Sequence, residues 1–171
     1  IMDTQKHISS AFDQDLMILN DSLQLLGDLA CQQLEGAIEG LAMQNQANLD
    51  KVIKGDAALD ALEAEINEKA IEVIAIRSPR AKDLRYVLVA LKVATILERM
   101  GDYARNIANR TKVIMTAGNE NIPGVNIGRM GQVTQEMVRD AMKSYQNRDA
   151  EMALAVWRRD IEVDHMHTAF H

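Results

Sequence analysis

Glu98, Asp102 and Asn106 stand at successive four-residue steps in "LERMGDYARN", residues 97–106. On a helix this spacing stacks three oxygen-bearing side chains along one face, with the two carboxylates almost touching. Like charges at that step cost an isolated helix roughly 0.2–0.5 kcal/mol. Two readings account for them. In the first, a hard or borderline divalent cation sits above the face, both carboxylates reach it, and Asn106 adds a neutral oxygen. In the second, the ridge is merely solvated: Asp102 pairs with Arg105 and the remaining repulsion is tolerated. Two carboxylates are too few for tight binding, so the metal reading requires ligands from elsewhere in the fold.

Other candidate chemistry is weaker. His167 and His171 are also four apart, but as terminal residues of the chain they read as frayed surface histidines. The Glu-x-x-His pairs of di-iron bundles are missing, and Asp164 to His167 has the step but the wrong acid. There is no glycine-rich phosphate loop, no G-x-S-x-G and no H-E-x-x-H. "RSPRAKDLR" carries four cations in nine residues, which would attract phosphate but equally suit a solvated interhelical turn. Arg85, Lys92 and Arg99, seven apart, form a basic helix flank that could meet an acidic partner or simply aid solubility. Cys31 is the single cysteine; it reads as a small, partly buried helix residue and suits a reducing cytoplasm.

The elements that carry these residues are helices. Apolar residues make up 47% of the 171-residue chain while aromatics are only 4%, so the core is aliphatic, with ten methionines helping to fill it. Two prolines and few β-branched runs favour helix over sheet. Net charge is −6, which argues against nucleic acid as a partner. No apolar run approaches the roughly 20 residues needed to cross a bilayer, and no signal peptide precedes the first helix, so a cytoplasmic protein is expected.

Phe12, Leu16, Leu19, Leu23, Leu26, Ala30, Leu34, Ala37 and Leu41 keep helical spacing and define a first helix, with Ser9 and Ser10 as N-caps. "MQNQANLD" is a tight turn. A second helix carries Leu49, Val52, Leu59, Leu62, Ile66, Ala70, Val73 and Ile76 and stops at "RSPR". Pro79 opens a third near its first position, with Asp83 in the first turn, and that helix runs from about Ala81 to Met115. It is apolar nearly all round up to Ile96. Beyond Leu97 it becomes amphipathic, which places the acidic pair on the outer surface of a bundle rather than in its core. Residues 119–126 are the linker; Ile127, Met130, Thr134, Met137, Ala141 and Tyr145 form a fourth helix, and a fifth follows.

The chain repeats itself. A shift of 104 positions brings Ala37 onto Ala141, Val52 onto Val156, Asp56 onto Asp160 and Asp60 onto Asp164. The expected organisation is a three-helix bundle over residues 1–118 and the first two helices of a second over 127–171. Helices four and five would then expose apolar faces, including Met137, Val156 and Trp157, and a homodimer is expected to cover them.

"SPRAKDLR" and "LERMGDYARNIANR" on one helix, after two long amphipathic helices and the opening "KHISSAFDQDL", resemble the PhoU family of phosphate-uptake regulators. The resemblance covers essentially the whole chain. It implies an all-α fold of tandem three-helix bundles, here five long helices with the second bundle lacking its last. It implies surface metal motifs of the Glu/Asp-x-x-x-Asp type, which map onto Glu98, Asp102 and Asn106, holding an ion such as Mg, Mn, Zn or Fe. It also implies a non-catalytic negative regulator that contacts the ATPase subunit of the phosphate ABC transporter and the sensor histidine kinase of the phosphate two-component system. Membrane attachment would be indirect, through those partners. The alternatives are a metal-free structural dimerisation module and a metal-dependent helical-bundle oxidase.

Overall fold

The computed structural model describes the backbone at residues 2–118, 124–147, 151–153, 155–156 and 158–159, and side chains at 10–118, 129–147 and the same residues of the last segment. Every element among them is an α-helix: α1 (Met2–Ala42), α2 (Gln46–Arg77), α3 (Lys82–Thr116) and α4 (Gly124–Gln146), followed by helical residues between 151 and 159. The all-α fold expected from the periodicity is the fold observed.

Two helix starts differ from expectation. Ser9 and Ser10 are not caps, because α1 already begins at Met2; nothing in "MDTQKHI" breaks a helix. Nor does Pro79 occupy the first turn of α3. Ser78 takes a left-handed conformation (φ 45°, ψ 54°) and closes α2 by donating its N–H to the Ile74 carbonyl, and Ala81 precedes the first helical residue, Lys82. Asp83 does lie in the first turn of α3. At the preceding corner Asn45 caps α2: its side-chain oxygen accepts from the N–H groups of Ala47 and Asn48.

α1, α2 and α3 pack on one another along an aliphatic seam. The α1 stripe from Leu16 to Leu41 is buried as the spacing requires, with Phe12 half-buried at its edge. In α2 the buried positions are Leu49, Val52, Asp56, Leu59, Ile66, Ala70 and Val73, while Leu62 is half-buried and Ile76 faces outward. The stripe therefore contains a carboxylate, Asp56, in a slot that an aliphatic residue would normally fill. At the far end of the α1–α2 pair, Asp15 accepts from Lys69 Nζ at 3.0 Å and Arg77 Nε at 2.9 Å.

Among the described residues, the face of the later helices expected to be exposed is covered. Met137 is 0% exposed and Val156 1%, and both belong to the same core as the first three helices. The reason is where α4 lies: it packs against α1 and α3, so Met130, Met137, Val138, Ala141 and Tyr145 close the open side of the first bundle. Gly131 permits this approach, since a Cβ there would run into Ile38 Cδ1 of α1. Trp157, His167, His171 and residues 119–123 of the expected linker lie outside the described residues; its remainder, 124–126, is the first turn of α4.

Candidate metal centre

Antiparallel α2 and α3 pack against each other, and Gly101 of α3 faces Leu59 of α2. A Cβ on Gly101 would lie 2.7 Å from Leu59 Cδ1, so any larger residue here would force the Leu59 side chain to shift. The acids beside these two residues are thereby drawn together. Asp56 and Asp60, one turn apart on α2, and Asp102 on α3 each present a carboxylate oxygen within 4.8 Å of the others. Glu98 lies one turn before Asp102 and hydrogen-bonds to it; Asn106 lies one turn after, half-buried.

The expected ridge on one helix is thus one bank of a seam between two. Glu98 and Asp102 are neither core residues nor fully solvated: both are half-buried against α2. In the sequence, Asp56 and Asp60 stand out only as positions of the repeat. The signal that would have found them was present, since Asp56 interrupts the apolar stripe of α2 and Asp60 follows at the same four-residue step as Glu98 and Asp102.

Charge is concentrated here and only partly balanced. Burial, followed by the charge and hydrogen bond of Asp102 and the charges of Asp60 and Glu63, pushes the Glu98 carboxyl up to about 7, and in its protonated form it donates a hydrogen bond to Asp102. Asp60 is also raised, by burial and by Asp56, Asp102 and Glu63, against the pull of Arg105. Arg105 is the cation within the seam: Nη1 donates to Asp56 Oδ2 at 2.6 Å, and Nη2 lies 3.3 Å from Asp102 Oδ1. The Asp102–Arg105 pairing of the solvated reading therefore exists. It does not satisfy the site, because Asp56 is 6% exposed and its other oxygen, Oδ1, has no hydrogen-bond partner. A buried carboxylate oxygen without a donor is costly, and a cation is the simplest group that would complete it.

The sequence matches the PhoU domain over residues 23–111 and 127–171. This chain belongs to the PhoU family. Relatives in the family include a phosphate-specific transport system accessory protein PhoU homolog from Caulobacter vibrioides, 34% identical over 96% of this chain and 71% of its own length. Another, from Zymomonas mobilis, is 37% identical over 92% of this chain and 66% of its own. The crystal structure of PhoU from Pseudomonas aeruginosa superposes with a TM-score of 0.79 at 28% identity, covering 92% of this chain and 76% of that one. PhoU from Streptococcus pneumoniae shares the fold, with a TM-score of 0.74 at 24% identity. The family resemblance carried by "SPRAKDLR" and "LERMGDYARNIANR" is therefore confirmed, and with it the PhoU-type helical bundle.

Proposed function

We propose that this chain is a regulatory adaptor, not an enzyme, that restrains phosphate uptake and the phosphate-starvation response when phosphate is plentiful. The observation that carries the reading is the shared name of relatives 34% and 37% identical over nearly the whole chain, phosphate-specific transport system accessory protein. In this reading its partners are the ATPase subunit of the phosphate transporter and the sensor histidine kinase of the phosphate two-component system. In the same reading, contact with the bilayer is indirect, through those partners on the cytoplasmic side; no helix among the described residues is long and apolar enough to cross a membrane. The homodimer expected from an exposed face on the later helices loses that support, because Met137 and Val156 are buried within this chain.

Asp56, Asp60 and Asp102, with Glu98 and Asn106 alongside, are the residues that would hold a metal ion. Three oxygens within 4.8 Å of one another match the span of a small cation's coordination shell, where metal–oxygen distances are about 2.0–2.6 Å. An all-oxygen set without nitrogen or sulfur favours Mg²⁺ or Mn²⁺ over Zn²⁺ and Fe²⁺. Bound there, the ion would supply positive charge that ties α2 to α3. The orphaned Asp56 oxygen supports this assignment, whereas the Arg105 pairs favour a metal-free module.

Capture of the transporter ATPase and the kinase by the purified chain, together with phosphate-regulated reporter expression in a deletion strain, tests the adaptor reading. Binding to both and derepression on deletion are expected; neither would remove it. The metal assignment is tested separately by Mn²⁺ titration, in which Asp60→Asn combined with Asp102→Asn should abolish binding.

A further inference from the structure

Arg105 already fills part of the acidic seam. Its guanidinium bridges the helices, with Nη1 on Asp56 Oδ2 of α2 and Nη2 on Asp102 Oδ1 of its own helix. These are two of the three carboxylates that would hold an ion. A guanidinium is permanently positive and cannot act as a metal ligand. A dication bound by Asp56 and Asp102 would stand within a few ångströms of a cation still bonded to the same groups, and the two would repel. Arg105 also has a way out: its side chain is 34% exposed, against 8% for Asp56, so the head can turn into water while the carboxylates stay.

We propose that Arg105 is the resident counter-ion of this site, competing with the metal for Asp56 and Asp102 and moving to the surface when the ion enters. The proposal rests on the metal assignment made above. It adds that the arginine sets the affinity, and that occupancy is written on the exterior as a freed guanidinium beside the α2–α3 seam. Asp56 Oδ1, buried without a partner, gives an entering ion its first foothold before Arg105 leaves. Arg105 is a positioning residue: it touches the ligands and never the metal.

Calorimetric titration of MnCl₂ into the EDTA-stripped chain tests this, with Arg105→Gln, Arg105→Lys and Asp60→Asn compared to wild type. Arg105→Gln should bind Mn²⁺ about tenfold more tightly, as expected for removal of a directly coupled group, although its metal-free form should melt at a lower temperature than wild type. That crossing, weaker without metal and tighter with it, is what a merely structural arginine would not produce. If Arg105→Gln does not fold, Arg105→Lys carries the comparison. Lysine keeps the charge but loses the two-pronged grip, so it too should bind Mn²⁺ more tightly than wild type. Equal or weaker binding by the folded variant, while wild type binds and Asp60→Asn does not, overturns the competition and leaves the metal site standing. No Mn²⁺ binding by any of the chains overturns both.

Discussion

The ring of Tyr145 in α4 is stacked on that of Tyr86 in α3, with centroids 4.9 Å apart and planes 16° from parallel. Both side chains are buried, and the pair fastens the fourth helix to the bundle formed by the first three. Stacked aromatic pairs contribute about 0.5–1.5 kcal/mol beyond the area they bury. Tyr145→Ala should therefore cost about 3–5 kcal/mol in urea unfolding, the range for a large buried aromatic. It should also loosen α4 and raise self-association in sedimentation, because Met137 and Val138 would gain access to solvent. A loss below about 1 kcal/mol would mean that α4 is held by other contacts.

Gly101→Ala probes the packing of α3 on Leu59 of α2. The added Cβ would meet Leu59 Cδ1, and Leu59 is fully buried, so its side chain has little room to withdraw. Overpacking of this kind costs about 1–3 kcal/mol. The same change opens the seam beside Asp60 and Asp102, so Mn²⁺ binding should weaken in parallel with stability. If Mn²⁺ affinity is unchanged, the spacing of the two helices does not set the site.

The helices were legible because their apolar spacing is regular. Leu16 through Leu41 and Leu49 through Val73 name their own buried faces, and the two corners at Asn45 and Ser78 fall where the pattern breaks. What could not be read was which helix faces which. The four-residue step of Glu98 and Asp102 is a property of one helix, but the third and fourth acids come from another, and only the antiparallel register of α2 on α3 pairs 56 with 105 and 59 with 101. The placement of α4 failed for a related reason. An amphipathic helix announces that it will be covered, and its sequence does not say whether α1 and α3 or a second copy will cover it.

Asp15 ties the far end of α2 to α1 through Lys69 and Arg77. Burial alone would raise its pKa, but the hydrogen bonds and charges of Arg77 and Lys69 outweigh that and hold it below the usual carboxylate value of 3.8. Both cations are partly exposed and can turn to water once the acid is gone, so Asp15→Ala should cost only about 1–2 kcal/mol at neutral pH. A depressed folded pKa contributes stability above the unfolded value, and this is lost as pH falls through the folded one. The gap between wild type and variant should therefore close below pH 3.8. A gap that persists into stronger acid would mean packing, not charge, is responsible.

Glu98 has the opposite linkage. Its folded carboxyl titrates at about 7 against an ordinary value of 4.5, so between these values the native protein keeps a proton that the unfolded chain has released. Raising the pH across that window must lower stability, and at higher pH the penalty is fully present. Glutamine has the same shape, still donates to Asp102 and cannot ionise. Urea unfolding of metal-stripped Glu98→Gln should therefore show a flatter profile from pH 4.5 to 7 than wild type, and greater stability above it. Added Mn²⁺ should reverse the order, because an ion in the seam rewards the carboxylate that the empty site penalises. If the two profiles coincide without metal, the acids are screened by water, and the strain that makes this seam a candidate for an ion does not exist.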